Sequence, residues 1–506
     1  MNEPGHHGSQ PSRAEVCETH TAIVFFAGDR AYKVKKPVDL GFLDYTTRAA
    51  RRHACEREVA LNRRFAPDAY LGVGEFLSPD AEAPEPLVVM RRMPADRRLS
   101  RLVQEGAVSD DVLRAVARRL AAWHAEAPRG PEVDQQGTRD ALSSRWEASF
   151  ATVHELADAA SVPQGIMEAE QLVRRYLAGR ARLFASRIEQ GRVVDGHGDL
   201  LAEDIFCLDD GPRVLDCLEF DDRLRYIDGL DDAAFLAMDL EQLGAPDAAG
   251  YFLAQYSEHS GDPAPASLWH HYVAYRAFVR AKVSLIQARQ GAPGAESAAR
   301  RLVSTTLRHL RTSAVGLTVV GGLPGSGKST LAGALADRLG VTLLSSDRVR
   351  KELAGIPAEQ SAAAGYGEGL YTPEWTARTY TVLLDRATAL LSAGESVVLD
   401  ATWSDPTQRE SARRVAERTS ADLVALRCHV PRDVSAARLG TRASGTSDAD
   451  LDIATAIAAK EPAWPEAVAV DTSGTLNSAV ARAWAAVRPW GSGQAAVFRR
   501  PYMEPD

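Results

Sequence analysis

Apolar and polar positions along this chain change rhythm three times. Residues 21–26 and 30–36 are apolar-rich runs of strand length around Ala27, Gly28 and Asp29, which predicts a β-hairpin with a glycine-containing turn. A charged helix is expected from about Thr46 to Arg64. Two further strand-length runs, Val73 to Phe76 and Leu87 to Met93, are separated by a turn rich in proline and acid. Strand, strand, helix, strand, strand makes a small mixed sheet with one helix. From Ser109 the apolar residues fall at helical spacing (Val112, Val116, Leu120, Trp123), and long helices follow. Two short extended segments, 193–201 and 213–220, interrupt them around a turn at 209–211, and helical pattern resumes from Leu230 to about Leu310. Near Thr312 the rhythm changes again. Short continuous apolar runs at 316–320, 341–344, 396–399, 423–426 and 467–470 alternate with helices, the pattern of a parallel sheet covered on both faces.

With 506 residues, the chain is expected to form about three folding units. The segments read as a disordered tail (1–12), a first domain (13–312), a second domain (313–490) and a flexible tail (491–506). Hydrophobic content of 45% and charged content of 25% are ordinary for a globular protein. No run approaches the roughly 18 apolar residues that span a bilayer, and the polar N-terminus is unlike a signal peptide. A cytoplasmic protein without a membrane partner is expected. Five scattered cysteines form no Cys-x-x-Cys pair, which argues against a disulfide framework or zinc knuckle. The net charge of −9 disfavours nucleic acid as a partner, and the pattern leaves the oligomeric state open.

The chemistry of the last third centres on Gly322, Leu323, Pro324, Gly325, Ser326, Gly327, Lys328, Ser329 and Thr330, a loop between an apolar strand and a helix. Glycines let successive backbone N–H groups turn toward phosphate oxygens, and the helix N-terminus adds a favourable dipole. Lys328 is placed to bridge the β- and γ-phosphates, and the Ser329 hydroxyl to ligate Mg²⁺. Asp347 follows the second strand, where a carboxylate can act on an acceptor hydroxyl and Arg350 can hold the acceptor; a plain helix N-cap is the competing reading. Asp400 ends the strand 396–400, the position of an acid that reaches Mg²⁺, against the alternative of a solvated strand end. Arg438 and Arg442 lie four apart on one helical face, suited to a lid over ATP or, more plainly, to an exposed basic face. These residues resemble the small P-loop kinases of the gluconate kinase, polynucleotide kinase and zeta-toxin group over most of 316–488. The resemblance implies that Asp347 acts on the acceptor hydroxyl; it does not fix the acceptor.

In the first domain, Asp199 and Asp204 share the loop His197-Gly-Asp-Leu-Leu-Ala-Glu-Asp, and Asp216 follows a short apolar run. Such spacing suits phosphoryl transfer, with one Asp near the acceptor hydroxyl and others on Mg²⁺. The motif looks like that of the aminoglycoside phosphotransferase and choline kinase-like families, which have a protein-kinase fold. The likeness extends to Lys33 and Lys35 on the hairpin, Glu58 on the first helix, the run Val88 to Met93, and the helix ending at His124. It implies Asp199 as catalytic base, Asp204 and Asp216 as metal ligands, and a Lys–Glu58 pair on the α- and β-phosphates, with Lys33 favoured. His197 is expected to support the loop, and His124 to be a packed helix-end residue. Asp204 stands where the family usually has Asn, and residues 18–21 stand where it has a glycine-rich loop.

The expected fold is therefore multidomain: an α+β protein-kinase-like bilobal domain followed by an α/β parallel-sheet P-loop kinase domain. The expected function is ATP- and Mg²⁺-dependent phosphotransfer to a small-molecule hydroxyl of sugar, amino sugar or polyol type. An ATP-binding regulatory protein with an inactive kinase-like domain is the alternative. The whole chain resembles bacterial fused aminoglycoside phosphotransferase/AAA-type ATPase proteins.

Overall fold

The computed structural model describes residues 15–487 except 20, 40–42, 78–82, 157–164, 358–359, 361–368 and 441–461. Both expected tails, and Arg442, lie outside the described residues. The chain runs through strands β1 (Glu15–Glu18), β2 (Ala22–Ala27) and β3 (Arg30–Lys35), helix α1 (Arg48–Asn62), and strands β4 (Tyr70–Phe76) and β5 (Glu85–Arg91). Helices α2 (Leu99–Gln104), α3 (Asp110–Glu126), α4 (Pro131–Gln136), α5 (Arg139–Leu156), α6 (Ile166–Ala178) and α7 (Ala181–Glu189) follow. Then come β6 (Val193–Asp195), β7 (Ile205–Leu208), β8 (Gly211–Val214) and β9 (Tyr226–Asp228). After them run α8 (Gly229–Gln242), α9 (Pro246–Ser260), α10 (Ala266–Arg289) and α11 (Ala295–Thr312). The remainder alternates: β10 (Gly316–Gly321), α12 (Lys328–Leu339), β11 (Thr342–Ser345), α13 (Ser346–Leu353), α14 (Pro373–Ser392), β12 (Val397–Asp400), α15 (Pro406–Arg418), β13 (Asp422–His429), α16 (Arg432–Gly440), β14 (Val468–Asp471) and α17 (Leu476–Val487).

Two compact units share these elements: residues 1–134 with 193–261, and residues 135–192 with 262–506. In the first, an antiparallel sheet runs in the order β1-β2-β3-β5-β4. The opening strand β1 is not apparent in the hydrophobic pattern, because all its residues are exposed and only its pairing to β2 defines it. Helix α1 starts where the Thr47 hydroxyl accepts from the Ala50 amide, and it buries Cys55, Glu58, Val59 and Asn62 on one stripe. Its apolar members join Ala31, Tyr70, Val88, Met90 and Phe206 in one core. The segment after β6 folds as the hairpin β7–β8, and β9 pairs antiparallel with β6. This last strand, three residues long, is too short to stand out in the pattern from the helix that follows it.

The second unit holds a five-stranded parallel sheet in the order β11-β12-β10-β13-β14. Its strands are apolar on both faces near the centre: every residue of β10 and β12 is buried. Strand β10 lies between β12 and β13, so the chain leaves it first toward one edge and later toward the other. In open α/β sheets such a switch point, outside the carboxyl ends of the strands, is where ligands bind. The helices of 135–192 and 262–312 pack with this sheet. Arg180, fully buried, donates to the carbonyl of Thr419 at 2.8 Å, and the Ser267 hydroxyl donates to that of Gly394 at 2.6 Å.

Candidate functional site

The loop after β10 is built by steric exclusion. Gly322 has φ +143° and Gly325 has φ +78°, conformations that side chains rarely adopt. A Cβ on Gly322 would stand 2.7 Å from the Cys428 carbonyl, and one on Gly325 would stand 2.9 Å from the Ser435 carbonyl. Thr472, just past β14, donates its hydroxyl to the Ser326 carbonyl, and Arg438 on α16 donates to the Thr472 carbonyl at 2.7 Å. The far strand and helix thereby brace the loop. A cavity of about 150 Å³ opens between Gly325, Gly327 to Thr330, and Arg438 with Leu439. Lys328 begins α12 and is largely buried at its edge.

Asp400 ends β12 nearby, with 5% of its surface exposed. Burial raises its carboxyl above the usual range, against the pull of Lys328 and of hydrogen bonds from Ser329 and Ser345. Its Oδ1 is buried and has no hydrogen-bond partner among the described residues. A solvated strand end would show neither feature. Asp347 lies in the first turn of α13 and accepts from Arg350 Nη1 at 2.7 Å, while Ser345 at the N-cap position makes no side-chain capping bond. Arg350 is 7% exposed and stacks 4.6 Å from the Tyr371 ring centre. Tyr380 bonds the Thr402 hydroxyl at 3.2 Å and accepts from the Trp403 amide, fixing the turn after Asp400.

In the first unit, β3 presents both lysines to one carboxylate. Glu58, wholly buried, takes Lys33 on Oε1 at 3.0 Å and Lys35 on Oε2 at 2.7 Å. Lys33 also holds Asp216 at 2.5 Å, and Lys35 also holds Glu219, which accepts from Tyr45 at 3.1 Å. Burial alone would lower the Lys33 ammonium, but Asp216, Glu58 and Glu219 together raise it well above the ordinary lysine range. Asp216 has φ +63°, and its amide donates to the Tyr70 hydroxyl at 3.0 Å. The next amide, Cys217, donates to Asn62 at the end of α1 at 2.8 Å. One helix therefore positions both Glu58 and the Asp216 turn.

Asp199 and Asp204 border the same region. Burial, joined by the fields of Asp216, Glu203 and Asp199, raises the Asp204 carboxyl well above the usual range. Among the described residues no three His, Cys, Asp or Glu side chains converge as a ready metal cluster. His197 bonds the Leu215 carbonyl at 3.0 Å, as a loop support would. His124 at the end of α3 is buried and bonds Tyr256 at 2.8 Å and Asp232 at 3.1 Å.

Asp232 is the residue that sequence reasoning missed. Fully buried in α8, it accepts the His197 amide at 2.6 Å and the Gly198 amide at 3.0 Å, and so suspends the loop that carries Asp199. The available signal was the Asp231–Asp232 pair inside an otherwise apolar helix start. Glu219, Tyr371 and Thr472 carried no comparable signal, since only tertiary contacts give them partners.

Fold and site together give a chain with an antiparallel-sheet unit, in which two lysines share one buried glutamate, and a parallel-sheet unit that carries a glycine-lined loop at its switch point. A protein-family model described as "AAA domain" matches residues 317–461. The chain is 44% identical over 470 residues to uncharacterized proteins of Mycobacterium tuberculosis (Rv2004c) and Mycobacterium bovis (Mb2027c), covering 93% of this chain and 94% of each relative. It belongs to the family of these mycobacterial proteins. Among solved structures it is similar to a choline/ethanolamine kinase family protein from Mesorhizobium loti, at TM-score 0.35 and 18% identity over 61% of this chain and 94% of that one. It is also similar to a sugar kinase from Janibacter sp. HTCC2649, at TM-score 0.28 and 19% identity over 37% of this chain and 99% of that one.

Proposed function

We propose that this protein is a cytoplasmic, ATP- and Mg²⁺-dependent phosphotransferase. It moves the γ-phosphate of ATP to a hydroxyl of a small molecule of sugar, amino sugar or polyol type, with a nucleotide site in each of its two modules. The observation that carries the reading is the loop at Gly322–Lys328: a cradle that a Cβ on Gly322 or Gly325 would fill, lined by Arg438, beside a buried Asp400 oxygen without a partner among the described residues. Hard oxygen donors at Ser329 and Asp400 suit Mg²⁺. Held there, Mg²⁺ would neutralise charge on the transferring phosphate.

The chain's own residues do the rest. Lys328 and the loop amides grip the terminal phosphates, and Arg438, with Arg442, counters the charge that develops on them. Asp347 takes the proton of the acceptor hydroxyl, with Arg350 holding its orientation at 2.7 Å and contacting the acceptor. In the kinase-like module, Lys33 turns from Asp216 to the α- and β-phosphates while Glu58, itself anchored by Lys35, holds it in place. Asp199 serves as base there, and Asp204 and Asp216 take the metal.

A second reading, in which the kinase-like module binds nucleotide only to switch contacts, is favoured by the turn between β1 and β2. That turn contains no glycine and is tied by the Thr19 hydroxyl, which accepts from the Ala22 amide at 3.0 Å. Bound nucleotide per chain and transfer to a panel of sugars, amino sugars and polyols separate the two. Two nucleotides per wild-type chain and one in Lys328→Ala, with transfer lost in Asp347→Ala and in Asp199→Ala, is the expected result. Affinity at the P-loop should fall about 100-fold, near 3 kcal/mol, on loss of the Lys328 charge. A wild-type chain that binds no ATP with Mg²⁺ would end the proposal.

A further inference from the structure

Helix α10 carries Arg276, Arg280, Lys282 and Arg289 and no Asp or Glu, in a chain whose formal net charge is −9. It packs on α5 along an aromatic seam, with Trp146 5.1 Å from Tyr275 and Phe150 4.6 Å from Phe278 between ring centres. Two cations enter this seam. The Arg145 guanidinium lies 6.0 Å from the Tyr275 ring centre, and its Nε and Nη1 are buried without a hydrogen-bond partner among the described residues. One turn further along α5, the buried Ser149 hydroxyl accepts from Lys282 Nζ at 3.4 Å, a long bond for an ammonium.

Arg145 and Ser149 are four apart on one face of α5, and Tyr275 and Lys282 are seven apart on one face of α10, so the Arg145–Tyr275 and Lys282–Ser149 contacts lie about one helical turn from each other along α5. Two acids of α5 are engaged elsewhere: Asp140 holds Arg139 at 2.6 Å and Glu147 accepts from Ser143 at 3.1 Å. Burial depresses the Lys282 ammonium, and no carboxylate among the described residues opposes it. Partly buried cations without a counter-charge are costly, and structures normally pair them.

We propose that the α5–α10 seam is a binding site for a phosphate group, with the Arg145 guanidinium and Lys282 ammonium as its charges and the Ser149 hydroxyl as a further donor. Two positive charges match the near-dianion of a phosphate monoester, and a guanidinium fork beside an ammonium is a common way to hold one. The site stands apart from the P-loop and does not depend on the phosphotransferase reading.

Calorimetric titration of the full chain tests it, with Lys328→Ala as background so that the P-loop contributes only weak binding. Inorganic phosphate and glucose 6-phosphate are titrated, with glucose as the uncharged control. Saturable binding in Lys328→Ala, weakened at least tenfold in Lys328→Ala/Lys282→Met and likewise in Lys328→Ala/Arg145→Gln, supports the site. Tighter binding of the ester than of phosphate assigns it to a phosphorylated metabolite, and the reverse to free phosphate. Lys282→Met removes an uncompensated charge, so its Tm in phosphate-free buffer should equal or exceed that of its parent. Equal affinities in parent and variants, or no saturable binding by either ligand, overturn the site. Should Lys282→Met fail to fold, the Arg145→Gln comparison decides alone.

Discussion

Single residues in this protein work by being held from several sides at once. Asp232 is the clearest case, since its two oxygens serve the His197 and Gly198 amides and the His124 ring together. Burial would raise its carboxyl, but the His124 and His197 contacts win and hold it well below the usual range. A carboxylate depressed in the folded state contributes stability that is present above its unfolded pKa of about 4 and is lost as pH falls below it. Thermal unfolding followed from pH 6 downward should therefore show a loss in the wild type that is flatter in Asp232→Asn. The variant should also be weaker at neutral pH by on the order of 2–3 kcal/mol, because buried amide donors lose a charged acceptor. Gly322 is fixed by different physics. Gly322→Ala forces a Cβ to 2.7 Å from the Cys428 carbonyl at a φ of +143°. It should cost roughly 1–3 kcal/mol in strain and distort the phosphate cradle. An ATP affinity unchanged from wild type in Gly322→Ala would show that the loop does not grip phosphate in this way.

At the scale of elements, the corner between α6 and α7 is tied to the end of α15 by main-chain contacts. Arg180, wholly buried, gives Nη1 to the Gly179 and Thr419 carbonyls at 2.8 Å each and lies over the Tyr176 ring. No carboxylate among the described residues accompanies it, so burial pulls its pKa down. A Cβ on Gly179 would fall 2.0 Å from the Thr419 carbonyl, so only glycine allows this approach. Arg180→Met should destabilise the unit by about 1–3 kcal/mol through two orphaned carbonyls, measured by chemical denaturation. Gly179→Ala should cost at least as much, because the obstacle is backbone. Equal stability of both variants with the wild type would mean that this corner carries no weight.

For the whole molecule, the change of rhythm near Thr312 separates helices from the strand–helix alternation, and it also invites a cut there. Packing groups the chain otherwise, with residues 135–192 and 262–312 joined to the parallel sheet. A fragment of residues 313–487 would leave the Thr419 and Gly394 carbonyls without Arg180 and Ser267. It should unfold at a lower temperature than the corresponding transition of the intact chain, as calorimetry on both would show. A fragment as stable as the intact unit would argue that the helices are only attached to the sheet.

What the sequence determined by itself is local. The glycine–lysine loop, the strand before it and the helix after it are contiguous, and backbone sterics alone specify them. The first helix, expected from about Thr46 to Arg64 and formed by Arg48–Asn62, and the His197 to Asp204 loop are legible for the same reason, through a run of charged residues and a spacing of carboxylates. Tertiary structure decided everything that joins distant segments. It made Glu58 the shared acceptor of Lys33 and Lys35, put Thr472 and Arg438 against Ser326, and hung the Asp199 loop from Asp232. It also made a strand of the exposed residues at Glu15–Glu18, through pairing with β2. Charge partners and edge strands depend on neighbours far along the chain, and hydrophobic periodicity records only which side of an element is buried, not what it is buried against.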